Sequence, residues 1–438
     1  AATTVIIDAD AGGVTSAGMD GVADIVAPTG ITVTAAGGIA LETDSPVLGL
    51  TTDAAGNVDV INVTSGAPES LTLNATVLSG TLSVETDDDL AVGDVIGGGA
   101  SGAGLTRASL SSTGGAITDS DAGPGMDVTA DSIVFSALDG IGDGNAIEVT
   151  NSAAPGTASS LAGNTTNGDI ELSATGALTV TTVGGVAGLI AGGDITVDAG
   201  TTLAVAEDIT ALGIVDLSAL NGSIATTPGS LITAAALNAD ANANAADGIT
   251  LNTTVTDAVL DVGVAGTATL VETDAINVVD ANGQTLNLTA GGAITGTITV
   301  DTLTAITTDG SITLTDDAGG LVATSVIAGG DARDVTLLSQ AGTLTVGYIE
   351  AADDTVTLTA TVGDVSEAAL TDAGVDVFAE TLVVTADNAA AATVIALDTE
   401  IEALTADADG HADSDITIDE IDSILLTSVT AGDDVTIS

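Results

Sequence analysis

Apolar residues alternate with threonine, serine and aspartate along most of this chain, in short runs separated by glycine. The stretch Asp169–Thr181, DIELSATGALTVT, is typical: Ile170, Leu172, Ala174, Leu178 and Val180 fall on one face, and hydroxyl side chains dominate the other. A period of two predicts half-buried β-strand. Glycine, asparagine and aspartate between the runs supply the corner conformations that strands cannot. Only six prolines occur in 438 residues, which suits a ladder-rich structure because proline donates no backbone hydrogen bond.

The alternation also repeats. A small or acidic pair followed by apolar–polar–apolar reads GGIAL at Gly37–Leu41, GGAIT at Gly114–Thr118, GDIEL at Gly168–Leu172 and GGDITV at Gly192–Val197. It returns as NGSIA at Asn221–Ala225, GGAIT at Gly291–Thr295, DGSITL at Asp309–Leu314, DDTVTL at Asp353–Leu358 and GDDVTI at Gly432–Ile437. Among the leading apolar residues are Ile170, Ile195, Ile224, Ile249, Ile294, Ile312, Val335 and Val356. Their mean spacing, roughly 23 residues, is a β-solenoid period. The fold expected is all-β, a right-handed parallel β-helix of about twenty such coils. Residues 1–438 are read as one continuous solenoid, less regular with loop insertions over 1–165 and more regular over 166–438. The alternative is a row of β-sandwich domains. These call for bulky core residues and modules of roughly 90–100 residues, and neither is evident.

Composition sharpens this picture. The chain has 62 acidic residues against two arginines, Arg107 and Arg333, with no lysine and a net charge of −60. Nothing here neutralises nucleic-acid phosphates, and an anionic membrane surface would repel it. Aromatics are three in all, Phe135, Phe378 and Tyr348, so the core expected is narrow and aliphatic. No cysteine is present, which removes disulfides and thiolate metal sites. No run of about 18 apolar residues predicts membrane insertion. The first residues, AATTVIIDAD, lack the basic region of a signal peptide. An exported protein would therefore carry its leader outside this numbering. Lysine depletion with excess aspartate also fits adaptation to high salt.

Candidate chemistry is confined to carboxylates. Thr405–Asp415, TADADGHADSD, sets Asp407, Asp409, Asp413 and Asp415 around Gly410. The spacing partly follows a calcium loop, though Thr405 holds the first ligand position and the terminal glutamate is missing. Adjacent acids recur at expected corners: Asp87, Asp88 and Asp89; Asp316 and Asp317; Asp353 and Asp354; Asp433 and Asp434. Stacking such corners places like charges about 5 Å apart, a repulsion of roughly 1 kcal/mol, which Ca²⁺ or another divalent cation would relieve. No other cofactor is expected. Gly97, Gly99 and Gly102 form a lone GxGxxG without the βαβ context of a dinucleotide site. His411, the only histidine, lies in the acidic loop and is read as solvated. With no lysine, two arginines and three separated aromatics, no catalytic site is expected. A polysaccharide-acting β-helix enzyme is the least favoured reading.

Residues 138–199 contain GIGDGNAIEV, GDIEL, GALTV and AGGDITV. This stretch resembles the repeats of large secreted bacterial proteins of the filamentous-haemagglutinin type. The resemblance implies a long right-handed β-helix serving as an adhesin, fibre or matrix component, and it brings no catalytic residues with it. The function expected is that of a secreted or cell-surface structural protein, a subunit or segment of a fibre, sheath or surface layer. Its expected partners are further copies of itself, stacked head to tail, or the continuation of a longer chain. The alternative is an adhesin stalk that contacts a cell-surface or glycan ligand.

Overall fold

The computed structural model describes residues 3–64, 70–97, 104–121, 123, 125–142, 144–151, 157–241, 248–317, 319–368 and 374–438. The chain divides into two compact units, Ala1–Ala235 and Ala236–Ser438. Among the described residues every element is a strand, and no helix is long and apolar enough to cross a membrane. The fold is a right-handed parallel β-helix with about 18 turns of about 22 residues. The turns are slightly fewer and shorter than the sequence period predicts. Successive coils pair in parallel register, whereas a sandwich pairs antiparallel strands.

In the first unit Leu71, Leu90, Ile117, Ile141, Ile170, Ile195 and Val215 stack one above another in successive coils. All seven are fully buried. In the second unit the equivalent column is Ile276, Ile294, Ile312, Val335, Val356, Leu382 and Leu404. Two leading residues of the sequence repeat lie elsewhere. Ile224 stacks on Leu203 and Leu178, and Ile249 stacks with Ala268, Leu286 and Leu303. The same phrase opens strands on different sides of the coil, because every side needs a turn residue followed by an inward apolar residue. The irregular spacing of the phrase has this cause.

The interior is aliphatic, as expected, with one aromatic. Phe135 is buried at 0% exposure between Leu110 and Gly163, its register neighbours in the coils on either side. A glycine over a phenyl ring is the large-beside-small arrangement that a narrow core requires. Outside the coil, the antiparallel hairpin Thr182–Val183 with Val186–Ala187 folds back so that Val183 and Val186 cover Val134 and Ala162.

Corners are built from two recurring devices. A buried hydroxyl at the end of a strand donates to the carbonyl three residues on, as from Thr165 to Gly168, Thr307 to Gly310 and Ser339 to Gly342. Glycine then admits the neighbouring coil. At Gly188, with φ +67°, a Cβ would sit 1.9 Å from the Asp208 carbonyl oxygen, so both conformation and space exclude a side chain.

Candidate cation-binding sites

The acids at the corners have a structural task that their positions in the sequence do not reveal. An aspartate just before a strand uses its carboxylate to accept the N–H of the residue stacked on it in the next coil. Asp169 accepts from Asp194 and Asp194 from Ile214, each at 2.7 Å. Asp89 accepts from Ala116 at 2.9 Å, Asp208 from Leu231 at 2.9 Å, Asp334 from Thr355 at 3.2 Å and Asp364 from Val394 at 2.8 Å. The backbone ladder starts one residue later, so this N–H would otherwise lack a protein acceptor. The Gly-Asp-apolar phrase is thus the signature of a capped strand start. Replacing Asp194 by alanine should cost about 1 kcal/mol. It should also accelerate amide exchange at Ile214 while Val197 stays protected, read by hydrogen-exchange mass spectrometry.

The acids singled out from the sequence divide between these and other roles. Asp87 accepts the Thr64 N–H at 2.9 Å and its hydroxyl at 3.0 Å. Asp88 is half-buried, and its N–H donates to Thr86 Oγ1 at 3.3 Å. Asp317 is exposed and accepts from Gln340 Nε2 at 2.8 Å. Asp316, its neighbour, points into the coil and is fully buried, stacked on Ser339. Asp354 accepts the Arg333 N–H. Asp353 is exposed, with φ +61°. Asp415 accepts the Asp434 N–H at 3.1 Å, while the Asp433 N–H goes to the Ser414 carbonyl at 2.9 Å.

In the Thr405–Asp415 stretch, Asp407 accepts the Asp409 N–H at 3.2 Å, and His411 Nδ1 accepts the Asp413 N–H at 3.2 Å. Asp407, Asp409 and Asp413 are exposed. Of the lone glycine motif, Gly97 closes the strand Leu90–Gly97. Gly99 and Gly102 lie outside the described residues.

Two groups of three carboxylates bring ligand oxygens within 4.8 Å of one another among the described residues, and neither contains an acid from that set. The first is Asp119, Asp121 and Asp127. Asp127 is only 4% exposed. It follows the strand-start rule, accepting the Glu148 N–H at 2.8 Å. Burial pushes its carboxyl up to about 8, and Glu148 and Asp119 add to this by like-charge repulsion. Asn145 Nδ2 donates to Asp119. Such a group concentrates charge that a proton or a cation neutralises. Asp119, Asp121 and Asp127 are close in sequence, and their spacing is a signal that a search for adjacent acids passes over. Glu148 joins them only through the register of Val128 with Val149.

The second group is Glu367, Asp376 and Asp398. Here too Asp376 accepts the N–H stacked on it, from Asp398 at 2.9 Å. Beside it, Glu350, Phe378 and Glu400 stack outward on three consecutive coils. Tyr348 donates to Glu350 at 2.9 Å. A cleft of about 220 Å³ opens there, and a wider groove of about 650 Å³ runs over Asp261, Asn282, Thr299 and Asp301. Of the two arginines, Arg333 binds Asp309 Oδ1 through Nε at 3.0 Å and Nη2 at 2.7 Å. Arg107 is exposed on the strand Leu105–Ser112.

No protein-family model, curated protein or solved structure matches the chain. The fold and these sites define a class, the polyanionic parallel β-solenoid. It is a repeat protein whose stacked coils are capped by carboxylates.

Proposed function

We propose that this chain is a structural segment of a secreted or cell-surface fibre, sheath or surface layer, extended by adding β-coils to a strand edge. The observation that carries the reading is the stacking within each unit. Seven buried residues form one column through successive coils paired in parallel register, from Leu71 to Val215 in one unit and from Ile276 to Leu404 in the other. Coils of this kind add one upon another by backbone pairing and burial of a shared apolar column. The resemblance of residues 138–199 to filamentous-haemagglutinin repeats supports the extracellular setting.

A second reading, an adhesin stalk, is favoured by the lateral groove of about 650 Å³ over Asp261, Asn282, Thr299 and Asp301. Both readings are non-catalytic, and both give divalent cations, Ca²⁺ first, the role of neutralising stacked carboxylates.

Electron microscopy of the purified chain over a range of concentrations tests the proposal. Filaments with a layer spacing of about 4.8 Å are expected. A chelator at low salt should shorten them. A monodisperse monomer at high concentration would sink the fibre reading. Filaments indifferent to chelator would remove the cation from it.

A further inference from the structure

The two outward-facing aromatics are thirty residues apart in sequence, yet coil register brings them to the same acids. Phe378 is half-buried on the outer face of the strand Val377–Ala386. Glu350 stacks on one side of it and Glu400 on the other, each about 4.8 Å away along the stack. One residue pair along, Glu380 stacks on Glu402, as fixed by the pairs Ala379–Ile401 and Thr381–Ala403. Asp353 and Asp422 close the rim of the cleft, and Ala379 and Ile401 add apolar wall. We propose that this cleft binds an organic cation, specifically an alkylammonium group, with its charge among the carboxylates and its alkyl surface against Phe378.

Three considerations select that ligand class. First, the charge is uncompensated from within. The chain has two arginines: Arg333 is bonded to Asp309, and neither it nor Arg107 lines the cleft. Second, the carboxylates surround the cleft without converging. None of its acids belongs to a group of three or more whose oxygens all lie within 4.8 Å among the described residues, as a bare metal ion with ligands at about 2.3–2.6 Å demands. An ammonium ion with methyl or methylene groups is wider, and it gains from an aromatic face as well as from carboxylates. Third, about 220 Å³ is below the roughly 300–1,000 Å³ of ordinary ligand sites. It suits one head group with a short alkyl arm and excludes an oligosaccharide. The proposal is independent of whether the chain forms fibres.

The protein carries its own reporter. Tyr348 is the only tyrosine and there is no tryptophan, so intrinsic fluorescence reads this face alone. Its phenol is pushed up to about 12 by burial and by Glu350 and Glu400. Tetramethylammonium, which has no proton to lose at alkaline pH, should lower it again when seated beside those glutamates, which is visible as earlier phenolate absorbance in an alkaline titration.

The test titrates the full chain with tetramethylammonium and with n-butylammonium at about 0.15 M NaCl, where diffuse attraction to the net charge is screened within about 8 Å. Tyrosine fluorescence and calorimetry are the readouts. Saturable one-site binding is expected. Phe378→Ala should weaken it about tenfold, and Phe378→Leu, which keeps the bulk without the ring quadrupole, by several-fold. Glu400→Gln with Glu402→Gln should abolish it, while Asp301→Asn in the other groove should leave it unchanged. The uncharged analogue n-butanol should not bind. Non-saturable uptake, affinity indifferent to Phe378, or equal binding of the uncharged analogue would each overturn the proposal. Displacement of the ammonium by stoichiometric Ca²⁺ would instead assign the cleft to a metal and overturn it too.

Discussion

Replacing Ile312 by aspartate should destabilise the unit 236–438 by about 3–5 kcal/mol, the cost of an uncompensated charge in the interior. Ile312 is the third residue of the seven-residue column from Ile276 to Leu404, fully buried between Ile294 and Val335. A carboxylate there has apolar neighbours above and below in the stack. Because each coil contacts chiefly its neighbours, the loss should appear as a local opening of the coils around 294–339 before the rest unfolds. Hydrogen-exchange mass spectrometry should show deprotection centred on Ile294–Thr307 and Val335–Ser339. Ile312→Val, which removes one methylene, should cost only about 0.5–1.5 kcal/mol. Equal protection in Ile312→Asp and the parent chain would refute the stacked column.

Asp127→Asn should raise the stability of the first unit at pH 8 by about 1–3 kcal/mol, the range of the desolvation penalty of a buried polar group. The sign follows from linkage. The native carboxyl is raised from 3.8 to about 8, so the folded chain binds this proton more tightly than the unfolded one. Its contribution is fully present below about pH 4 and is lost as pH rises through about 8. Asparagine keeps an oxygen for the Glu148 N–H, which lies 2.8 Å from Asp127 Oδ2, and its amide donates where the proton did. The melting temperature of the parent should therefore fall between pH 5 and 8 by more than that of the variant, with the two converging near pH 4. Parallel curves across that range would show that Asp127 ionises normally. Carboxylates remote from this site contribute to both chains alike, so the difference isolates Asp127 together with its neighbours Asp119 and Glu148.

The parallel β-helix was legible because alternation of period two, glycine-marked corners and a scarcity of aromatics all require the same thing, a thin aliphatic interior between short strands. That logic is local, and it placed Ile170, Ile195, Ile294, Ile312, Val335 and Val356 correctly in stacked columns. It misassigned nothing inward or outward within DIELSATGALTVT, where Ile170, Leu172, Ala174, Leu178 and Val180 are all buried. It did not place Ile224 and Ile249, because one phrase serves several sides of the coil and only hydrogen-bond register separates them. The corner acids were legible as acids but not as caps. Asp194 acts on Ile214 twenty residues away, a partner set by coil length. Asp316, grouped with Asp317 as a corner pair, is an interior residue, since the strand Ile312–Asp316 runs one step further than its hydrophobicity signals.

The sequence by itself determined the fold class, the aliphatic core and the polyanionic character, because each depends on residue type and short-range periodicity. The tertiary structure alone decided which acids gather. Glu148 beside Asp127, Asp398 beside Asp376, and Phe378 between Glu350 and Glu400 are neighbours across coils, separated by about twenty to thirty positions in the chain. Their proximity follows from the length of each turn between them, and no local pattern records that length.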